Sequence, residues 1–332
     1  MFIPRFNVTA GINSESPTLQ SSFCLNDSCP PEGKAMSKYV QRTIRGKSAF
    51  FAVAENVEPV FDQDSPAHKI IGMLSEDTHK VISSDQSRIE DATRAFLTDA
   101  NGELSSYASA NGLTDYGASC TTLSIIDGKA TFFNVGNVLG FFYHNKTLRQ
   151  MSENNSERTE SAVPAGNILD NIPVMRQKLM PTKYAGSLSS GDILAPFISE
   201  TVDIDRDDVF LLCSGELCDK LPQSRISYIL SLPISDDKMV RRLINEALAR
   251  GAVGELTVLL IRDGGKPFIQ KNKVSAIVKT VMGVIAAAVL SAFLMSFIHS
   301  CSHKPVIMQE NSQTEPSETQ PSNEFMTVDP SL

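Results

Sequence analysis

Two uninterrupted apolar runs constrain the fold of this chain more than any other feature. One extends from Ser48 to Glu55 through Ala-Phe-Phe-Ala-Val-Ala, and the other from Asp208 to Ser214 through Val-Phe-Leu-Leu-Cys. Runs of this length without polar alternation are typical of strands that are covered on both faces. Because each run ends in polar residues, we expect covered sheets whose strands carry polar side chains at their ends.

Helical segments alternate with the strands. Ser65-Pro66 is a cap and first-turn pair for a predicted helix that ends near residue 82, and a second helix is predicted over 87–111. Apolar residues at helical spacing predict a third helix over 236–250, which is followed by a final strand over 256–261.

A hairpin signal lies at the centre of the chain. Asp127-Gly128 separates two β-rich runs, 120–126 and 129–136, and a third run follows over 138–144. Asp-Gly between such runs favours a tight two-residue turn. The three runs predict an antiparallel meander, and the order of strands and helices predicts a single α+β layered domain over 1–265.

Charge and cysteine usage argue against two classes of function. The chain has 30 basic and 38 acidic residues and a formal net charge of -8, whereas phosphate binding needs clustered Lys and Arg. We therefore expect no nucleic-acid partner. The six cysteines include no Cys-x-x-Cys pair, so neither a zinc site nor a disulfide framework is predicted.

A run of 19 uncharged residues, 280–298, follows the domain. As a helix it would be about 28 Å long, which matches the hydrocarbon core of a bilayer. The run therefore predicts one C-terminal transmembrane helix. Four lysines lie in the basic juxtamembrane segment 266–279 and only Lys304 follows the run. This imbalance places the domain in the cytoplasm and the tail on the far side of a single-pass membrane protein.

The tail, 299–332, is rich in Glu, Ser, Thr, Pro, Gln and Asn, and this acidic composition predicts disorder. Within the predicted span, small residues lie four apart, as in Gly283 with Ala287 and Ala288 with Ala292. Such spacing permits two helices to pack closely, so a homodimer through the span is one expectation.

Four short polar turns follow one another in an order that is informative as a set. They are Val53-Ala54-Glu55-Asn56, Val135-Gly136-Asn137, Cys213-Ser214-Gly215-Glu216-Leu217 and Gly251-Ala252-Val253-Gly254-Glu255-Leu256-Thr257. Over about residues 1–263 the chain resembles the metal-dependent Ser/Thr protein phosphatases, the PPM or type 2C family. In that family the turns contain Val-Ala-Asp-Gly, Val-Gly-Asp-Ser-Arg, Cys-Ser-Asp-Gly-Leu and Gly-x-x-Asp-Asn-x-Thr. The resemblance implies two antiparallel β-sheets stacked as a sandwich and flanked by helices, with a metal site at one end.

The resemblance also implies which positions once served the metals. Family members use two Mg²⁺ or Mn²⁺ ions to generate a hydroxide, and such ions need anionic oxygen ligands. Ser21 and Glu55 stand at two of the ligand aspartate positions, and Ser16 stands where the family has a phosphate-binding arginine. Asn56 replaces a glycine whose backbone carbonyl is also a ligand. Glu55 is thus the best candidate for a metal ligand.

At the remaining turns the acids are displaced or lost. Gly215 and Gly254 stand at aspartate positions, Glu216 and Glu255 follow one residue later, and Asn137 replaces the aspartate of the Val-Gly-Asp turn. A shift of one residue at a strand end turns a side chain to the opposite face. We therefore expect Glu216 and Glu255 to be solvated turn acids that point away from the metal site.

These substitutions favour a membrane-anchored pseudophosphatase without catalytic residues or a cofactor. Its cytoplasmic domain would bind a protein partner such as a kinase, a phosphoprotein or an assembly factor. One alternative is a weakly active phosphatase that holds Mn²⁺ or Mg²⁺ on Glu55, Glu216 and Glu255. Another is a structural subunit of a membrane complex, in which the span and the tail carry the function. The sequence contains no Gly-x-Ser-x-Gly or Walker motif for another hydrolase site.

Overall fold

The computed structural model describes the greater part of residues 4–264. The described residues are 4–14, 19–26, 38–60, 64–82, 86–163, 174–188, 191–264 and 291. The chain divides into two units, Met1–Gln270 and Lys271–Leu332, and all of the strands and helices given below lie in the first.

Strands and helices alternate along this unit. The strands are β1 Arg5–Asn13, β2 Ser21–Leu25, β3 Lys38–Arg45, β4 Ser48–Asn56, β5 Ala118–Ile126, β6 Lys129–Val135, β7 Leu139–His144, β8 Thr147–Gln150, β9 Ser156–Val163, β10 Val174–Pro181, β11 Phe197–Ile198, β12 Val202–Asp203, β13 Val209–Cys213 and β14 Leu256–Asp263. The helices are α1 Pro66–Ile82, α2 Gln86–Asn111, α3 Gly215–Lys220, α4 Gln223–Ser231 and α5 Asp236–Ala249. The three helices predicted from the sequence, which are α1, α2 and α5, are confirmed.

Two large antiparallel sheets form the centre of the domain. The first sheet has the strand order β3-β1-β14-β13-β7-β8. The second has the order β11-β6-β5-β4-β2, and β12 also pairs with β6. Strands β9 and β10 form a separate two-stranded ribbon. The α+β architecture with antiparallel sheets that the sequence predicted is confirmed.

The apolar core explains why the central strands lack polar alternation. Between the sheets, Val8 and Phe210 of the first sheet pack with Phe51 and Phe132 of the second, and the Phe132 and Phe210 rings lie 6.1 Å apart. The outer face of the second sheet packs against α1 and α2, and that of the first packs against α3, α4 and α5. Strands β4 and β13 are therefore buried on both faces, which their uninterrupted apolar runs require.

The predicted meander is wrong in its third strand. Strands β5 and β6 form the expected hairpin around Asp127-Gly128, where both residues have positive φ angles. Strand β7, however, pairs with β13 and β8 in the first sheet. The chain changes sheets directly after β6, at Gly136, whose φ is +95°. A Cβ atom at this glycine would lie 2.1 Å from Ser119 Oγ, so only glycine permits the crossing.

Three predicted segments lie outside the described residues, apart from residue 291. They are the juxtamembrane segment 266–279, the apolar run 280–298 and the tail 299–332. Among the helices that the structure describes, none has the length and apolar character needed to cross a bilayer. The transmembrane helix therefore stays a prediction.

Candidate functional site

The inner faces of both sheets turn polar at one end of the sandwich. In the second sheet, Glu55 pairs directly with Ser21 on one side and with Ser119 on the other. Directly paired residues of antiparallel strands present their side chains on the same face, and this face is the one that buries Phe51. We call this group of residues the polar end. It comprises Ser21, Glu55, Ser119, Ser214, Glu255 and Thr257.

Glu255 lies inside the polar end, with 6% of its surface exposed. Its Oε1 accepts a hydrogen bond from the backbone N–H of Ser21 at 2.7 Å, and its Oε2 accepts one from the backbone N–H of Gln20 at 3.0 Å. The Ser21 hydroxyl also donates to Oε1, and Ser21 Oγ lies 2.5 Å from Thr257 Oγ1. The expectation that Glu255 is a solvated acid pointing away from this end is therefore wrong.

The pairing register of β14 explains this orientation. Side chains alternate between faces along a strand, and Leu259 and Ile261 face the core between the sheets. Thr257 and Glu255 continue the same alternation back to the start of the strand. The face of Glu255 is therefore fixed by the long pairing of β14 with β1 and β13.

Opposing effects act on the pKa of Glu255. Burial raises this pKa because the charged form loses its hydration, whereas hydrogen bonds from Ser21, Gln20 and Ser14 lower it. The net result is a pKa above the ordinary value for a glutamate. The donors thus offset only a part of the cost of burying this carboxylate.

Glu216 has different surroundings. It lies in the first turn of α3, where its Oε1 accepts a hydrogen bond from the backbone N–H of Val253 at 3.0 Å and lies 3.5 Å from Lys220 Nζ. Its side chain is 18% exposed, so Glu216 is a half-buried helix residue instead of a solvated turn acid. Its carboxylate ties α3 to the segment before β14.

Glu55 and Asn56 end strand β4 with different roles. The hydrogen bond with Cys218 and burial raise the pKa of Cys213, and the charge of Glu55 adds to this effect. The Cys213 and Cys218 Sγ atoms lie 3.3 Å apart, and both cysteines are free. Glu55 is half-buried, and its assignment to a ligand position stays a prediction.

Asn56 is a structural residue. Its Oδ1 accepts hydrogen bonds from the backbone N–H of Ala67 at 2.8 Å and from Ser65 Oγ at 3.1 Å, so it caps the start of α1. Its Nδ2 donates to Gln20 Oε1 at 3.0 Å. Gln20 accepts a hydrogen bond from Asn56 and donates its backbone N–H to Glu255. It could not be singled out from the sequence, because both partners are distant in the chain.

The two glycines at aspartate positions differ in the space around them. A Cβ atom at Gly215 would lie 2.7 Å from the backbone oxygen of Asn137 and 2.9 Å from its Nδ2. A Cβ atom at Gly254 would have no neighbour within 4 Å, although this residue has a φ of +89°. Asn137 therefore occupies the space that a side chain at position 215 would need. Ser16, the remaining predicted site position, lies outside the described residues.

The residues of the polar end do not fit a pair of divalent cations. Three of the four predicted ligand positions hold Ser21, Gly215 and Gly254, which supply no anionic oxygen, whereas Mg²⁺ and Mn²⁺ need several such ligands. Both oxygens of Glu255 face N–H groups, whose positive ends repel a cation. Within the described ranges, no group of three or more His, Cys, Asp or Glu residues is placed to hold a metal ion.

Comparison with known proteins gives structural matches but no sequence matches. No family model matches the sequence, and no curated protein is significantly similar to it. Among similar solved structures, PppA, a regulatory component of the T6SS in Pseudomonas aeruginosa, has a TM-score of 0.51 and 20% identity over 64% of this chain and 86% of that chain. The Ser/Thr phosphatase Stp1 from Staphylococcus aureus has a TM-score of 0.56 and 14% identity over 77% and 95% of the two chains.

A third match is a structure that was solved with metal ions. The catalytic domain of the Ser/Thr protein phosphatase PstP, solved with 2 manganese ions, has a TM-score of 0.51 and 14% identity over 78% of this chain and 99% of that chain. Identities this low establish the fold alone. The resemblance inferred from the four turns is confirmed at that level, and the chain has the fold of the PPM-type Ser/Thr phosphatases.

Proposed function

We propose that this chain is a membrane-anchored, phosphatase-like protein that has lost phosphatase chemistry and acts by binding a protein partner. The observation that carries the proposal is the buried carboxylate of Glu255, whose two oxygens accept hydrogen bonds from the backbone N–H groups of Gln20 and Ser21. At the end of the sandwich where the resemblance places metals, this chain presents hydrogen-bond donors to a carboxylate of its own.

The chemistry of phosphoester hydrolysis supports this proposal. Two-metal hydrolysis requires cations that activate a water molecule and neutralise charge on the transferring group. The polar end offers Glu55 and several hydroxyl groups, and neutral hydroxyls do not replace the missing carboxylates as ligands for Mg²⁺. Without those cations, none of the roles assigned to the family metals can be filled by the residues found there.

The partner and the location are inferred from the sequence and from one structural relative. The apolar run 280–298 and the lysines before it support a single-pass anchor with the domain in the cytoplasm. PppA is named as a regulatory component of the T6SS, which supports a regulatory role through protein partners in general. We propose a kinase, a phosphoprotein or an assembly factor as the partner of this domain.

Titration of the full-length protein in detergent with Mn²⁺ tests the loss of chemistry. Calorimetry would follow binding, and hydrolysis of an aryl phosphate would follow turnover. We expect neither saturable binding at micromolar Mn²⁺ nor Mn²⁺-dependent turnover. Turnover that requires Mn²⁺ and is abolished by Glu55→Ala would contradict the proposal and establish the weakly active phosphatase. Glu76→Ala, at an acid of α1, is the matched control.

Protease protection tests the orientation. In sealed vesicles with the native orientation, an external protease should remove the tail 299–332 and leave the domain intact. Permeabilised vesicles are the control, because the protease then reaches both sides. Cleavage of the domain in sealed vesicles, with protection of the tail, would reverse the proposed topology.

A further inference from the structure

The start of β2 presents several hydrogen-bond donors to a single point. Gln20 and Ser21 are consecutive, and their backbone N–H groups both point at the Glu255 carboxylate. The Ser21 hydroxyl adds a third donor, and Ser14 also contributes a side-chain hydrogen bond. Successive N–H groups that converge on one point can bind an anion, and we call this group of donors the nest.

The nest and its occupant belong to different sheets. Gln20 and Ser21 precede and begin β2 of the second sheet, whereas Glu255 directly precedes β14 of the first. The contact between Ser21 Oγ and Thr257 Oγ1 at 2.5 Å continues the connection along β14. The carboxylate therefore joins the two sheets at the end where their apolar core stops.

We propose that the polar end is a carboxylate-binding nest, and that Glu255 fills it as an internal ligand that closes this end of the sandwich. The inference deepens the proposed function at the same site and rests on it. The ligand class is a small carboxylate, because the donors surround two oxygens of one planar group. Removal of the Glu255 side chain beyond Cβ would vacate a space that matches acetate or formate in chemistry.

Burial makes the consequence of that removal large. Ser21 is 1% exposed, so its backbone N–H could not turn to bulk water after the loss of the carboxylate. Buried donors that lose their acceptor cost far more than exposed ones. The half-buried Glu216 carboxylate provides a contrast, because water can replace it at the N–H of Val253.

Thermal unfolding with added carboxylate tests the nest. The full-length protein in detergent with EDTA would be compared as wild type, Glu255→Ala and the matched control Glu216→Ala, in sodium acetate or formate against sodium chloride of equal ionic strength. We expect Glu255→Ala to lower the melting temperature by roughly 8 °C. Acetate and formate should recover a saturable part of this loss in Glu255→Ala alone.

Several outcomes would overturn the inference. An unchanged melting temperature in Glu255→Ala would do so, as would an equal effect of acetate on all three proteins. If Glu255→Ala does not fold, Glu255→Gln decides, because its amide keeps the shape and removes one acceptor oxygen. The Glu255→Gln variant should have a lower melting temperature than the wild type and gain nothing from acetate. A melting temperature equal to that of the wild type would overturn the inference. Mn²⁺ binding by the wild type in the separate titration would contradict the proposed function, whereas the melting comparison is made in EDTA and therefore tests the nest alone.

Discussion

The turn after β13 and the turn before β14 carry the same change in sequence but have opposite outcomes in the structure. In each turn a glycine stands at a predicted aspartate position and a glutamate follows it. Glu216 lies in the first turn of helix α3 and contacts Lys220 and the N–H of Val253, whereas Glu255 directly precedes strand β14 and is buried between the sheets. The direction of a displaced acid therefore depends on whether the turn runs into a helix or into a strand, since helices and strands place successive side chains at different angles.

Restoring the aspartate after β13 should give the largest effect. Gly215→Asp would place a Cβ atom 2.7 Å from the backbone oxygen of Asn137. Overpacking against a buried backbone atom should lower the free energy of unfolding by about 3 kcal/mol, measured by urea denaturation. Gly215→Ala should lose a similar amount, because the clash arises at Cβ. Wild-type stability in both variants would show that the turn at Gly215 can shift to admit a side chain.

Shortening the buried acid should give the next largest effect. Glu255→Asp keeps the charge but withdraws the carboxylate by about 1.5 Å, one carbon–carbon bond. The N–H groups of Gln20 and Ser21 would lose good acceptor geometry, so stability should fall by about 2 kcal/mol. Urea denaturation measures this loss, and Glu216→Asp, which should change little, is its control. Equal losses in the two variants would remove the distinction between the turns.

Restoring the aspartate before β14 should cost less than restoring it after β13. Gly254→Asp meets no atom within 4 Å, but the residue has a φ of +89°. The expected loss is about 1 kcal/mol, because a side chain strains this backbone region and nothing else opposes it. Comparison with Gly254→Ala by urea denaturation separates backbone strain from charge. A loss as large as that of Gly215→Asp would contradict the open space seen at this glycine.

Neutralising Glu216 should have the smallest effect. Glu216→Gln keeps an acceptor for the N–H of Val253 and removes the charge that Lys220 faces at 3.5 Å. Partly exposed pairs of this kind contribute little, so we expect a loss of about 0.5 kcal/mol that shrinks further in high salt. Urea denaturation at two salt concentrations measures this loss in the free energy of unfolding. A loss larger than that of Glu255→Asp would contradict the difference between the two turns.

Periodicity and strand composition were sufficient for most of the core elements. Helices α1, α2 and α5 and strands β4, β5, β6, β13 and β14 have strong local signals, and the structure contains each of them. The short edge strands β11 and β12 pair over two residues each, which is too few for a local pattern to form. Strand β7 was assigned to the wrong sheet because the crossing at Gly136 depends on the close approach of Ser119.

The site was less predictable than the fold because its geometry is set by distant pairing. The resemblance assigned Ser21 and Glu55 to one site, and the pairing of β2 with β4 places these two residues directly opposite each other. The face of Glu255 was not predictable, since it follows from the register of β14 against β1, in which Leu256 lies opposite Asn13. No local rule could supply that register, and the shift argument alone gave the wrong face.

Gln20 gives helix α1 a noncovalent connection to β14. The Oε1 atom of Gln20 accepts a hydrogen bond from Asn56, and Asn56 Oδ1 accepts one from the N–H of Ala67 at the start of α1. The backbone N–H of Gln20 donates to Glu255. A protein that binds α1 and displaces its amino end would therefore loosen the interior of the sandwich through two amide side chains. Hydrogen–deuterium exchange at the amides of Ala67 and Ser21 should then change together, although the two residues belong to different layers.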